Sequence, residues 1–592
     1  MQKLRPLPLG SQTFSYIVEK NAVYVDKTPY LYELISGTVN KYFLSRPRRF
    51  GKSLTISTFK ALFSGQRDLF KDLYITKETD YDFPVFPVLH FDFSEIGHQT
   101  STELSRILKQ HIEMYAANYG HSIQDSETLA ESWGQLMAFF KGKNKKAVIL
   151  IDEYDKPILD HITNLPIAKE NRDVLKSFYE IIKANDESLR FVFITGITKF
   201  SQMNIFSGMN NLRDISLDTG YAAICGYTQD ELETSFHPHL TQFSEAKNTT
   251  LPALLTKIKT WYNGFRFTEA SVTLYNPFST LLLLDSQQFQ YHWFATGTPT
   301  YLMQLFQQLN VDVENIPNQI SINDTASYDI DNFQVNLPVL LFQTGYQTIT
   351  HVAESGLITL DYPNLEVREA FTQKLLQTLV ASPTSPEVTI ITLRDALHQN
   401  NLAEVFRIIT LFFAKIPYDI QESTEPYYQS LFYLIFTVIG TRIRAEVRTH
   451  KGRIDALIET ATHVYVFEFK LLRNVALGAT PQAGAFSKGL RPLESRSEDP
   501  NGDPLESHSE QAPEHPLESR EGGAQQIHWK SHSENTNGSP LEPHTQHALA
   551  AAMAQIDSKD YTLSFQDRGK TIVKVAAVFS VSERNIVAWT HI

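Results

Sequence analysis

Cysteine is almost absent from this chain: Cys225 stands alone among 592 residues. That excludes an intramolecular disulfide and a cysteine-rich zinc centre, and it fits a reducing compartment. Long apolar runs are missing as well. The longest, such as Leu431 to Ile439, falls far short of the roughly 20 residues that span a bilayer, so no membrane partner is expected. The opening residues MQKLRPLPLGSQTF have no apolar signal core, which makes a cytoplasmic location the expectation. There is no excess of basic charge either. The 53 Lys and Arg face 66 Asp and Glu, leaving a formal net charge of -13. A protein that coats nucleic acid with its whole surface is thereby excluded, whereas a local basic groove is not. What is present is an ordinary globular composition, 42% hydrophobic and 20% charged, on a chain long enough for more than one core.

One stretch breaks the average. From Ala479 to Thr545 the sequence is rich in Pro, Gly, Ser, Glu and His, and Pro-Leu-Glu begins at Pro492, Pro504, Pro516 and Pro540. These starts lie 12, 12 and 24 residues apart, a degenerate 12-residue array. Each unit offers little beyond one Leu for stacking, unlike a solenoid repeat. The expectation is a disordered insertion. It holds 11 acids against 5 Lys or Arg, so nearly half of the net negative charge belongs to it.

Before the insertion the pattern is α/β. Lys41–Ser45 reads as a short strand, followed by a glycine-containing turn and a helical stretch from Ser53 to Phe63. Val85–Phe93, Ala147–Ile151 and Leu189–Thr195 are strand-like, with helical patterns at Thr102–Tyr119 and Asn171–Asn185. Strands alternating with helices predict a largely parallel sheet covered on both faces. From about 289 to 400, short mixed elements are expected. Beyond them, Leu402–Ile416 and Tyr427–Gly440 have helical periodicity and Thr441–Thr449 looks like a strand. Arg453–Glu459 and His463–Leu471 resemble a β-hairpin, and His547–Lys559 and Thr571–Phe579 read as helix and strand. The expected division is 1–288, 289–400 and 401–592, with the insertion at 479–545 inside the last part.

Two constellations carry chemistry. Arg46-Pro47-Arg48-Arg49-Phe50-Gly51-Lys52-Ser53 follows a strand and opens a helix, the context a P-loop needs. There, backbone N–H groups cradle phosphates, lysine reaches the β and γ phosphates, and the hydroxyl holds magnesium. Val148-Ile149-Leu150-Ile151-Asp152-Glu153 is a buried strand ending in two carboxylates, as a Walker B element requires. Asp152 would bind Mg2+ and Glu153 would activate the attacking water. These residues predict ATP with Mg2+ as cofactor, bound by Gly51, Lys52, Ser53 and Asp152. Arg46 and Arg49 add positive charge near the phosphates, although surface or subunit-facing roles fit them equally well. The bland alternative is a core strand with a polar end beside a basic helix cap.

The second constellation is Asp455 followed by Glu468-Phe469-Lys470. Residues two apart on a strand share a face, so Glu468 and Lys470 project together. Hairpin pairing would bring Asp455 alongside, with Gln555 on the helix after the insertion. Two acids and a lysine suit metal-dependent phosphodiester hydrolysis, with Asp455 and Glu468 holding Mg2+ and Lys470 at the phosphate. The alternative is a cross-strand salt bridge of little consequence.

Together these residues resemble one family, the AAA-ATPase-like proteins of bacteria and archaea that carry a C-terminal PD-(D/E)XK nuclease-superfamily domain. The likeness runs through Tyr24-Val25-Asp26-Lys27-Thr28, the loop Arg46 to Ser53 and Ile151 to Pro157. It continues through Phe206 to Asn211, Trp261-Tyr262-Asn263-Gly264, Tyr275-Asn276-Pro277, Gly452 to Asp455 and Phe467 to Lys470. In that family the loop reads Arg-Pro-Arg-Arg-Phe-Gly-Lys, so Arg46 in place of the usual first glycine follows the family pattern. The resemblance implies a P-loop NTPase with a restriction-endonuclease-like α/β domain, and Asp455, Glu468 and Lys470 match its nuclease signature. It implies an ATPase coupled to a nuclease-fold domain acting on DNA or RNA, and it is compatible with a homo-oligomer. The competing reading is a nucleotide-switched binding protein whose nuclease-like domain does not cut.

Overall fold

The computed structural model describes residues 4–162, 164–199, 211–293, 302, 318–321, 328–329, 334–380, 386–414, 432, 435, 442–449, 452–472 and 542–592. The repeat insertion up to residue 541, the expected helix Tyr427–Gly440 apart from two positions, and Phe206 to Asn210 lie outside the described residues. The chain divides into two compact units, one built on Met1–Asn401 and the other on Leu402–Ala414 and Arg444–Ile592.

The first unit is organised by β1 (Lys41–Ser45), β2 (Val88–Asp92), β3 (Ala147–Asp152), β4 (Leu189–Gly196) and the two-residue β5 (Arg213–Asp214). Their order is β2-β3-β4-β1-β5, and every pairing is parallel. All of β1 and β3 is buried, as the strands of a sheet covered on both faces must be. The covering helices show why. Leu165–Ala184 buries Ala168, Asn171, Leu175, Phe178, Tyr179 and Ile182, a helical stripe. Phe178 packs edge-on against Phe91 of β2 at 5.1 Å and Trp133 at 5.8 Å. Trp133 comes from the helix Leu129–Gly142, which the sequence reading passed over although Thr128 and Glu131 form a complete capping box at its start.

Parallel strands place all their carboxyl ends on one edge, where ligands of such sheets bind. Because β4 lies between β1 and β3, the turn after β4 separates the loop Arg46 to Gly51 from Asp152.

Elsewhere in this unit β6 (Gln319–Ser321), β9 (Thr348–Val352) and β10 (Leu357–Asp361) form a small antiparallel sheet in the order β6-β10-β9. β7 (Tyr328–Asp329) and β8 (Gln334–Val335) form a ribbon. The helices Leu365–Val380 and Pro386–His398 are longer than the short mixed elements expected there.

The second unit holds one mixed sheet: β11 (Arg442–Thr449), β12 (Gly452–Glu459), β13 (His463–Leu472), β14 (Thr571–Ser580) and β15 (Asn585–His591), in that order. β12 and β13 are antiparallel, β13 and β14 parallel, β14 and β15 antiparallel. The parallel pair needs a crossover, and the helix Pro543–Ser558 supplies it. That helix buries Thr545, Leu549, Ala552, Met553 and Ile556 against one face of the sheet. On the other face, Phe406 of the helix Leu402–Phe413 stacks on Trp589 at 4.6 Å and Phe413 meets Phe579 at 5.6 Å. Among the described residues no helix is long and apolar enough to cross a membrane.

Candidate nucleotide and nuclease sites

β1 runs into the loop, and the helix Lys52–Phe63 leaves it. Gly51 is the N-cap of that helix with a φ of 100°, a left-handed conformation that favours glycine. Lys52, 6% exposed, folds back over the loop and donates from Nζ to the carbonyls of Arg46 at 2.8 Å and Pro47 at 2.9 Å. Burial lowers its pKa, opposed by the nearby carboxylates of Asp152, Glu153 and Asp155. An anion would therefore meet a cation already poised in the loop.

A cavity of about 340 Å³ opens here. Arg48, Arg49, Gly51, Lys52 and Ser53 line it from the loop, Asp92 and Ser94 from the end of β2, and Glu153 and Lys156 from the end of β3. Pro8 and Gly10 to Gln12 line it too, with Tyr227, Pro277, Phe278 and Leu281.

The three loop arginines divide. Arg48 and Arg49 line the cavity, and the Arg49 guanidinium lies 4.9 Å from the centroid of the Phe278 ring. Arg46 points inward. Its guanidinium, 1% exposed, donates to the carbonyls of Ser45 at 2.9 Å, Ser216 at 2.8 Å and Tyr221 at 3.3 Å, and lies over Phe267. Burial brings its pKa down to about 10. The geometry thus places Arg46 behind the loop, bracing it, whereas the sequence pattern allows equally a place near the phosphates and a surface or subunit-facing one.

At the end of β3, Asp152 is 1% exposed and its Oδ1 accepts from Thr195 Oγ1 at 2.6 Å and from the Glu153 N–H at 3.0 Å. Glu153 adopts a φ of 50°, a strained conformation for a non-glycine residue of the kind that gathers at functional sites. Burial raises its pKa, partly offset by Lys52. Asp155, which the sequence reading gave no role, ties this turn to the one after β4. Its Oδ2 accepts from the N–H groups of Ile197 at 2.9 Å and Thr198 at 2.7 Å and from Thr198 Oγ1 at 2.8 Å. Gly196 allows this closeness, since a Cβ there would lie 2.4 Å from the Tyr154 ring. The turn Thr195 to Thr198 is therefore bound to Asp152 and Asp155.

Motifs far away in sequence buttress the loop. The Arg48 carbonyl accepts from Trp293 Nε1 at 3.1 Å and Asn276 Nδ2 at 3.4 Å. Asn276 Oδ1 also caps the helix Pro277–Ser286. This gives Tyr275-Asn276-Pro277 a physical purpose: the cap and the loop share one side chain. Lys27 is likewise buried, donating to both Glu231 carboxylate oxygens at 2.6 and 2.7 Å and to the Ala223 carbonyl at 2.8 Å.

In the second unit the hairpin forms as the sequence pattern predicts, with Ala456 opposite Phe467 and Glu459 opposite Val464. Glu468 is 1% exposed, and its Oε1 accepts from Lys470 Nζ at 2.9 Å. Lys470 Nζ also donates to Gln555 Oε1 at 2.9 Å, from the helix Pro543–Ser558. Asp455 Oδ2 accepts the Phe469 N–H at 2.8 Å. Asp455, Glu468, Lys470 and Gln555 are thus brought together, while Phe467 and Phe469 enter the opposite layer beside Phe406 and Phe579. Among the described residues no group of three potential metal-ligating side chains gathers.

A family model described as a predicted AAA-ATPase matches residues 8–206, and one for the PD-(D/E)XK nuclease superfamily matches residues 423–501. An uncharacterized protein in the vnfD 5' region of Azotobacter chroococcum mcd 1 is 35% identical over 487 residues, spanning 81% of this chain and 92% of that protein. The chain belongs to the AAA-ATPase-like family whose members carry a C-terminal PD-(D/E)XK nuclease-superfamily domain. Among solved structures, similarity extends to the Aeropyrum pernix ORC1 protein in complex with DNA, with 10% identity, a TM-score of 0.24, and coverage of 75% of this chain and 93% of that one. The Aeropyrum pernix ORC2 protein, solved as ADPNP-ADP complexes, gives 13% identity, a TM-score of 0.27 and coverage of 64% and 98%.

Proposed function

We propose that the first unit binds and hydrolyses ATP and that its nucleotide cycle controls a metal-dependent nuclease in the second unit. The observation that carries the nucleotide reading is the convergence of Lys52, Ser53, Asp92 and Glu153 on one cavity at the carboxyl edge of a parallel sheet. The donors suit Mg2+, a hard cation that takes oxygen ligands: the Ser53 hydroxyl and the Asp152 carboxylate would hold it. Mg2+ would supply charge neutralisation at the β and γ phosphates. Lys52 would exchange its two carbonyl partners for phosphate oxygens, and Glu153 would accept a proton from the attacking water. Tyr227, Pro277, Phe278 and Leu281 offer the apolar end for the base. In this reading residues 1–288 handle nucleotide, 289–400 connect, and 401–592 form the nuclease-like part.

Replacing Lys52 with Ala should abolish ATP turnover by the purified protein while its thermal unfolding stays cooperative. Unchanged hydrolysis in that variant would falsify the phosphate assignment.

For the second unit, Asp455 and Glu468 would hold Mg2+, which polarises a phosphodiester, and Lys470 would leave Gln555 to meet the developing charge. A second reading, a nucleotide-switched binding protein whose nuclease-like unit does not cut, draws on one observation. Lys470 is engaged on both sides, by Glu468 of its own strand and by Gln555 of the helix Pro543–Ser558, as a purely structural contact would be.

A further inference from the structure

Lys156 is the one residue of the Ile151 to Pro157 motif that reaches the nucleotide cavity without a role in the reading above. It opens the short helix Lys156–Leu159, and its N–H donates to the Glu153 carbonyl at 3.0 Å. Lys156 and Glu153 therefore share one turn. A carboxylate that orients the attacking water must stand beside the terminal phosphate, and Lys156 lines the same cavity as Glu153.

The mounting of Lys156 is specific. Its Nζ lies 3.1 Å from Asp160 Oδ2, and the same oxygen lies 3.1 Å from His98 Nε2. His98 is buried, 6% exposed, and its Nδ1 lies 2.7 Å from the Ile96 carbonyl. A carbonyl only accepts, so Nδ1 carries a proton. When Nε2 takes a second proton the ring becomes an imidazolium and donates to the carboxylate as well. Burial opposes that charge, but the hydrogen bonds to Asp160 and Ile96 outweigh it and raise the His98 pKa. The ring is also fixed through its own backbone, whose carbonyl accepts from His161 Nε2 at 2.9 Å and Asn171 Nδ2 at 2.9 Å.

Lys156 and His98 thus share one carboxylate oxygen, and with the ring protonated the trio carries a surplus positive charge. His98 is walled in, so the surplus is expressed by Lys156, whose side chain is 27% exposed and lines the cavity. An ammonium that holds only half of a carboxylate oxygen is free to take a second anion.

We propose that Lys156 is a second phosphate-binding cation of this site, selective for the terminal phosphate of a nucleoside triphosphate, with Asp160 and His98 as the positioning residues that aim it. This rests on the nucleotide reading and deepens it. Lys52 reaches into the loop from the helix side, whereas Lys156 arrives from the β3 side with Glu153. The two cations would therefore distinguish triphosphate from diphosphate, which Lys52 alone would do less sharply.

The test is equilibrium binding of two probes to the full-length protein, a non-hydrolysable ATP analogue and ADP, each with Mg2+. The proteins compared are unmodified, Lys156→Met, Lys156→Arg and Asp160→Asn, each with its thermal unfolding recorded to show that it is folded. Lys156→Met should weaken the triphosphate analogue by about tenfold or more, as loss of a charged hydrogen bond does, and leave ADP affinity unchanged. Lys156→Arg should recover most of that loss. Asp160→Asn should reduce the preference for triphosphate over ADP while keeping ADP affinity, which a merely structural change would not do selectively. Equal weakening of both probes, or no change in either, overturns the proposal. Failure of the unmodified protein to bind either probe contradicts the nucleotide reading itself, and so is told apart from failure of the Lys156 assignment.

Discussion

Glu366 lies in the helix Leu365–Val380 with no exposed surface. It accepts from the Trp293 N–H at 2.7 Å and from Ser279 Oγ at 3.2 Å, and burial pushes its pKa up to about 8. Trp293 in turn holds the Arg48 carbonyl, so a carboxyl with a raised pKa stands behind the loop Arg46 to Gly51. In an unfolded chain the same group would titrate near its ordinary value of 4.5. The folded state therefore keeps a proton that the unfolded state loses. Its stabilising contribution is full below about pH 4.5 and is lost as pH rises through about 8, at up to roughly 1.4 kcal/mol per pH unit. Glu366→Gln, which keeps the donor and acceptor capacity without the charge, should flatten the fall of Tm between pH 5 and pH 9. Parallel Tm curves for the two proteins would contradict this environment. At this scale the sequence shows some roles and hides others. The placement of Lys52 and Glu153 on one cavity was legible because each follows a strand pattern that its neighbours in the chain reveal. The fate of Arg46 was not, because its partners Ser216 and Tyr221 lie 170 and 175 residues away.

At the level of elements, periodicity carried most of the information. β1 spans Lys41–Ser45 as its pattern predicts, and the hairpin of β12 and β13 keeps Thr460 to Thr462 as its loop. Alternation on β13 is strict enough that one strand serves two layers, with Val464, Val466 and Glu468 on the helix side and Tyr465, Phe467 and Phe469 on the other. β15 escaped notice because two of its inward positions are Ala588 and Thr590, a small and a polar residue that weaken the hydrophobic signal. The helix Pro543–Ser558 begins four residues before the expected start at His547, because Pro543 at its first turn needs no hydrogen-bonded N–H. Its buried stripe holds Gln555 against Lys470. Ile556→Ala, at a fully buried position in that stripe, should cost about 2–5 kcal/mol. Urea unfolding of the second unit would show it as a lowered midpoint, and an unchanged midpoint would mean that the helix does not pack as described.

For the whole molecule, the division into a unit on Met1–Asn401 and a unit ending at Ile592 predicts that the proposed ATPase and nuclease activities respond to separate mutations. Lys470→Ala removes the cation beside Glu468, and its ATP turnover should equal that of the unmodified protein while cleavage is lost. Loss of both would mean that the variant fails to fold or that the assignment of roles is wrong. Overall charge is a poor guide at this scale, since the insertion alone carries 11 acids against 5 Lys or Arg. The most direct measurement is cleavage of labelled single- and double-stranded DNA and RNA by the purified chain, with Mg2+ or Mn2+, with and without ATP. The unmodified protein should cut in a metal-dependent and ATP-responsive manner, Asp455→Ala should not cut, and Lys52→Ala should lose the response to ATP. Cutting that persists in Asp455→Ala, or no cutting by the unmodified protein under any of these conditions, would contradict a nucleotide-controlled nuclease.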